Sequence, residues 1–210
     1  MLRYIHMHKA FAFILFLSFS LSSYASHVMG GEITWSCSGG NTYEFQLVFY
    51  RDCNGAEVNI ISEDLRVWNH PTLNSIVLNF ISREDISPSC TVVAGSPPML
   101  ECGTGSAAGN GVGAIERITY RSNPISISGI PPAEGWIFTY ENFSRSNAIS
   151  NLSDPSTFGI TLAAKMFANP NSADNTCSDS SPNFLQSPHF VTCAGSEYRY
   201  NMNAIDPALG

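Results

Sequence analysis

His27 heads the stretch "HVMGGEITWSC". An N-terminal histidine binds copper through its amine and ring when a second histidine completes the set, and such a centre cleaves polysaccharides oxidatively. That chemistry needs a chain that begins at His27. A cut there would place bulky Tyr24 three residues upstream, where signal peptidase prefers a small side chain. The competing reading is a histidine leading into a strand, its ring satisfied by backbone groups. The other histidines that follow the leader, His70 and His189, are scattered.

Carboxylates come next. Glu84 and Asp85 in "SREDI" could divide acid and base work on a sugar, but neighbours in a strand point to opposite faces. They read better as a solvated strand end with a local ion pair to Arg83. Asp174 and Asp179, with Asn171 and Asn175, offer the hard oxygens that calcium takes, without the dense Asp-x-Asp spacing of a dedicated loop. "GNGVG" lacks the full glycine spacing of a phosphate cradle and has no helix after it, so it reads as a flexible loop. Trp35, Trp68 and Trp136 could form a sugar-stacking platform, although aromatics in strands usually serve the core.

The six cysteines are Cys37, Cys53, Cys90, Cys102, Cys177 and Cys193, an even number beyond the leader, which points to disulfides in an oxidising compartment. They form successive couples 16, 12 and 16 positions apart. Closing a loop of that size contributes about 3 kcal/mol in the chain-entropy model. Nearest-neighbour pairing therefore predicts Cys90 with Cys102 and Cys177 with Cys193. Cys37 with Cys53 fits less well. If both flank one hairpin, Cys53 is carried some 35 Å from the turn at ~3.3 Å per residue, while Cys37 stays beside it. Sequence alone leaves 15 connectivities open. A zinc site finds no Cys-x-x-Cys pair to start from, and no cofactor is expected.

These groups need a scaffold. Residues 1–25 carry Arg3 and Lys9, the apolar run "AFAFILFLSFSL", and Ser23-Tyr24-Ala25 before a cut at Ser26, a signal-peptide pattern. The run of about a dozen residues is shorter than the roughly 20 of a membrane anchor. Membrane insertion is not expected after cleavage. Losing two basic residues takes the formal charge from −7 to −9, with Lys165 the one lysine remaining, so no basic surface for nucleic acid can form.

Beyond the leader the text is strand after strand. "TYEFQLVFYRD" alternates Tyr43, Phe45, Leu47 and Phe49 with Glu44, Gln46, Val48 and Tyr50, the period of a half-buried strand, and "SGGN" before it reads as a hairpin turn. Further strands are expected at 58–68, 74–82, 115–121, 125–130, 136–141, 158–167, 189–193 and 198–203. "FGITLAAKMFA" is also compatible with a helix. "GTGSAAGNGVG" (103–113) and "NPNSADNTCSDSSPN" (169–183) read as long exposed loops. The expected fold is all-β, an immunoglobulin-like or jelly-roll-type β-sandwich over 26–195. Residues 196–210 are its last strand or the start of a following domain. Asp206-Pro207 favours a turn, and the chain is expected to continue past Gly210.

The segments "SHVMGGEITWSC", "NTYEFQLVFYRDCNG", "ISREDISPSC", "GAIERITYRS" and "GWIFTYENFSR" together resemble the N-terminal region of large secreted Bacteroidota proteins. Those carry PKD or other immunoglobulin-like repeats and end in a gliding-motility-associated C-terminal sorting domain. The resemblance spans nearly all of 27–207, and its most specific part is the joint spacing of Gly30-Gly31-Glu32 with Tyr50-Arg51-Asp52-Cys53. It implies an extracellular or cell-surface module, exported by the type IX route, with no catalytic residues to carry over. The chain departs from it at Asn142 and Phe143, where cysteines often follow the tyrosine. The expected function is a non-enzymatic structural or adhesive module whose partners are extracellular glycans or other surface proteins. A carbohydrate-binding module and a copper oxidase using His27 are the alternatives.

Overall fold

The computed structural model describes residues 27–88, 99–105, 107–111, 113–143, 145–146, 149–168, 177, 179–186, 197, 199, 201 and 203–206. The fold is all-β. Its strands are β1 (Val28–Gly39), β2 (Thr42–Asp52), β3 (Ser62–Trp68), β4 (Ser75–Asp85), β5 (Ile115–Arg121), β6 (Ile125–Ser126), β7 (Trp136–Phe143), β8 (Gly159–Met166), β9 (Asn183–Phe184) and β10 (Ala204–Ile205). One antiparallel sheet runs β1-β2-β5-β4-β3-β7-β8, with β6 also on β2, while β9 and β10 pair only with each other.

The sheet curls until its ends nearly meet. β2 and β7 are separated by three strands along the sheet, yet the Phe45 and Phe138 rings lie 4.6 Å apart across the interior, with Trp35 6.0 and 5.7 Å from them. Gly31 permits the closure. A Cβ there would run into the Val48 carbonyl and come within 2.7 Å of Leu162 on β8, so only glycine lets β1 pack this closely on the far end of the sheet.

The period-two reading of β2 holds. Tyr43, Phe45, Leu47 and Phe49 are all buried in the core. "SGGN" is the expected turn: Gly39 pairs with Thr42, and Gly40 and Asn41 between them both take positive φ (59° and 56°), as a two-residue type I′ hairpin requires. The ambiguous "FGITLAAKMFA" is strand. β8 pairs with β7 from Phe143 with Gly159 to Trp136 with Met166, and Met166 is fully buried. Partner backbone overrides the helical tendency of its alanines.

Strand boundaries differ at several places. β3 begins at Ser62 rather than 58, and β6 shrinks to two residues. The strand expected at 189–193 lies outside the described residues. Half of the strand expected at 198–203 (198, 200 and 202) likewise lies outside the described residues, and just after it Ala204–Ile205 pairs with Asn183–Phe184.

Two loops read as exposed are fastened to the sheet. In 103–113, the Ala108 and Gly109 amides donate to the Cys53 carbonyl (3.0 and 3.1 Å) and Ala107 donates to Gly55 (2.8 Å). In 169–183, whose first residues lie outside the description, Ser181 is buried. Its amide donates to the Trp35 carbonyl (3.0 Å), and its hydroxyl accepts from the Trp35 amide (2.8 Å). This segment caps the open edge of β1, satisfying backbone groups that would otherwise invite another strand.

Cysteine connectivity departs from the nearest-neighbour expectation. The bridges are Cys37–Cys177 and Cys53–Cys102, not Cys90–Cys102, Cys177–Cys193 or Cys37–Cys53. The hairpin is the reason: Cys37 pairs with Tyr43 at its turn end, whereas Cys53 follows β2 at the opposite end. Each reaches whichever loop returns to its own end of the sheet. Cys90 and Cys193 lie outside the described residues.

Candidate functional site, a polar groove on the outer sheet face

The alternation of β2 continues one step past its apolar residues and delivers Arg51 to the inner face, 1% exposed. Its Nε meets Glu116 Oε2 at 2.9 Å, and its Nη1 donates to the carbonyls of Gly55 (3.2 Å) and Ala56 (2.7 Å). Arg83 completes the cluster, with Nη1 on Glu57 Oε1 (2.8 Å) and Nε on Glu116 Oε1 (3.3 Å). Both Glu116 oxygens are thus engaged. Next to it, Asp52 accepts from the Asn54 amide (2.9 Å) and the Ser146 hydroxyl (3.0 Å), and Cys53–Cys102 closes this end of the sheet. A buried ion cluster is tolerated only when its hydrogen-bonding groups are met in this way. Here it holds the 53–58 turn against the core.

Arg83 faces inward because of a bulge. Phe80 pairs with Tyr120 and Ser82 with Thr119, leaving Ile81 as the extra residue. Beyond it the facing of β4 inverts, so Ser82 and Glu84 point outward and Arg83 points in.

The outward residues build a groove. Register aligns Glu32, Val48, Thr119 and Ser82 across β1, β2, β5 and β4, with Tyr50, Arg117 and Glu84 in the row on one side and Thr34, Gln46 and Arg121 on the other. Asn183 and Phe184 of β9 flank a cavity of about 340 Å³ over these rows. Arg117 Nη2 pairs with Glu84, and Arg121 reaches Glu44 (3.4 Å) and Gln46 (3.1 Å). Glu32 Oε2 and Arg117 Nε are buried and without a hydrogen-bond partner. Each such atom costs about 1–3 kcal/mol while unmet. Burial pushes the Glu32 carboxyl above the ordinary carboxylate range, and the Arg117 charge offsets part of that rise.

Most sequence-predicted candidates lie elsewhere. His27 takes φ 40° and packs its ring on Gly55, its Nδ1 buried and without a hydrogen-bond partner, so backbone satisfaction does not describe it. His70 lies against Trp136 (4.9 Å), its Nδ1 accepting from the Leu73 amide (2.9 Å) and its Nε2 within 3.1 Å of the Ser128 carbonyl. His189 is outside the described residues. Asp174 is too, while Asp179 sits close enough to Asp206 that burial first, and this second carboxylate next, raise its pKa. Among the described residues no three His, Cys, Asp or Glu side chains gather as a metal set.

Trp35 and Trp136 belong to the core, and Trp68 is half-exposed with its indole donating to Thr139 (2.9 Å). Every ring contact among the described residues includes a buried ring. Glu84 and Asp85 do point to opposite faces, but the ion pairs at this strand end are long-range, Glu84 with Arg117 and Arg83 with Glu57 and Glu116, rather than local. Asp85 instead accepts from Ser87 and the Cys102 amide (2.7 Å). Among the described residues, only Glu84 of the sequence candidates reaches the groove. Glu32, Arg117 and Arg121 were missed as a site, although the outward polar positions of β2 are visible in its alternation.

Comparison with protein-family models, with curated proteins and with solved structures finds no match.

Proposed function

We propose that this domain is a non-enzymatic adhesive module of an exported, multidomain surface protein. The observation that carries the reading is the outer groove: a recessed, polar surface whose lining side chains stand on four hydrogen-bonded strands and on β9 beside them. Side chains on paired strands lose little freedom when a ligand arrives, which favours binding. Bridges that span 140 and 49 residues suit a protein that works in an oxidising setting outside the cell. The likeness to the N-terminal region of secreted Bacteroidota proteins agrees with such a placement, with glycans or other surface proteins as partners.

Adhesion under flow tests this. Beads coated with the oxidised chain should be retained on a surface bearing immobilised polysaccharides or cell-envelope glycans, above beads coated with the reduced and alkylated chain. Equal retention of both bead types on every surface would overturn the reading.

A further inference from the structure

We infer that the outer groove binds a neutral, hydroxyl-rich ligand, a short or terminal saccharide, seated between Glu32 and Arg117 and flanked by Phe184. This rests on the reading of the domain as a binding module and names the ligand class for it.

Charge balance selects a neutral ligand. The lining carries two carboxylates, Glu32 and Glu84, and two guanidiniums, Arg117 and Arg121. Arg117 is already charge-paired with Glu84, and Arg121 with Glu44, so the positive charge of each guanidinium is balanced before a ligand arrives. An anion would meet Glu32 beside its only cationic contacts, and a cation would meet the two arginines.

The unmet atoms select a hydroxyl. Glu32 Oε2 lacks a donor and Arg117 Nε lacks an acceptor; both atoms are shielded from solvent in side chains that line the groove, so a ligand meets them when these side chains turn. A sugar hydroxyl is donor and acceptor at once, so one vicinal pair answers both demands. Around them Thr34, Gln46 and Thr119 add groups of the same dual character.

Size and walls agree. A cavity of about 340 Å³ is at the lower end of the roughly 300–1,000 Å³ usual for small-molecule sites, which suits a short saccharide. Phe184 is half-exposed at the rim and Ile81 bulges from β4 on the other flank. They give apolar surfaces for the C–H face of a pyranose, while the polar floor takes its hydroxyls. Ile81 is thereby explained as more than an irregularity of the strand.

Amide chemical-shift titration of the oxidised chain tests the site. The probes are glucose, galactose, mannose, N-acetylglucosamine and cellobiose, with galacturonate and glucose 6-phosphate as charged controls. At least one neutral sugar should shift amides of Glu32, Thr34, Gln46, Arg117 and Thr119, with a millimolar dissociation constant and weaker shifts from the charged controls. Arg117→Met and Glu32→Leu should each weaken that binding about tenfold, the loss of one good hydrogen bond to a charged group. Trp68→Ala should leave it unchanged. If either groove variant fails to fold, Thr34→Val and Gln46→Leu replace it, with a several-fold loss expected.

No shift with any neutral sugar, tighter binding of a charged control, or shifts centred on Trp68 would each overturn the inference. Beads that still adhere under flow in that case would leave the adhesive reading standing with a different ligand. Loss of both results would remove both.

Discussion

Glu116 and Arg117 are neighbours on β5 and live in opposite electrostatic worlds. Glu116 points inward, 4% exposed, and both its oxygens are held by arginines, one of which also donates to two carbonyls. Arg117 points outward, keeps one contact with Glu84, and has a buried Nε without a hydrogen-bond partner. The two faces use the same residue types on the same strands. The inner face has met its polar demands within the fold, as a load on stability requires, and the outer face holds demands that a ligand could meet. A strand with alternating facing thus separates a structural cluster from a binding surface one peptide unit away.

Removing the charge on each face should give very different costs. Glu116→Ala leaves Arg51 buried without its carboxylate and should lower unfolding free energy by roughly 3–5 kcal/mol, read from urea denaturation. Arg117→Ala on the outer face should change it by less than about 1 kcal/mol. Similar losses for both would erase the distinction.

The bridges sharpen the same contrast. Cys53–Cys102 closes the end that holds the inner cluster, and by loop entropy its removal as Cys53→Ser with Cys102→Ser should cost about 4 kcal/mol of global stability. Cys37–Cys177 ties the segment that caps the β1 edge near the groove. Its loss should raise hydrogen exchange at the Trp35 and Cys37 amides before the sheet itself unfolds. A uniform rise in exchange across the sheet would show that the segment is part of the cooperative core.

The smallest effect has the opposite sign. Glu32→Gln removes a poorly compensated half-buried charge and should raise stability at neutral pH by up to about 1 kcal/mol. The raised folded pKa of Glu32 means that its protonated form favours the fold. That contribution is complete below the ordinary 4.5 and is lost as pH rises through the folded value above it. Glu63 behaves alike, pushed up by burial in spite of its bond from Tyr140. Asp85 opposes them: burial raises its pKa, but bonds from the Ser87 hydroxyl and from the Cys102 and Ser87 amides together outweigh that and leave it lowered. Its contribution is present above the ordinary 3.8 and is lost as pH falls through the folded value below it. Melting temperatures between pH 4.5 and 7 should therefore fall less steeply in Glu32→Gln than in the parent chain, and an unchanged slope would argue that Glu32 is solvated.

What the sequence determined by itself was local. Alternation in "TYEFQLVFYRD" identified the inward face of β2, and "SGGN" identified its turn, because side-chain period and positive φ are properties of consecutive residues. The same alternation, followed one step further, would have flagged Arg51 as a charge on the apolar face. Pairing of distant segments was decided only in three dimensions. β2 joins β5 across more than sixty residues, Cys53 reaches Cys102, and Ser181 returns to Trp35. The nearest-neighbour cysteine pairs failed because a hairpin sends sequence neighbours to opposite ends of a sheet. Most decisive was Ile81. A single unpaired residue inverts the facing of all that follows it in β4, sending Arg83 to the core and Glu84 to the groove. Whether a strand bulges depends on the register that its partner imposes, which no periodicity within the strand records.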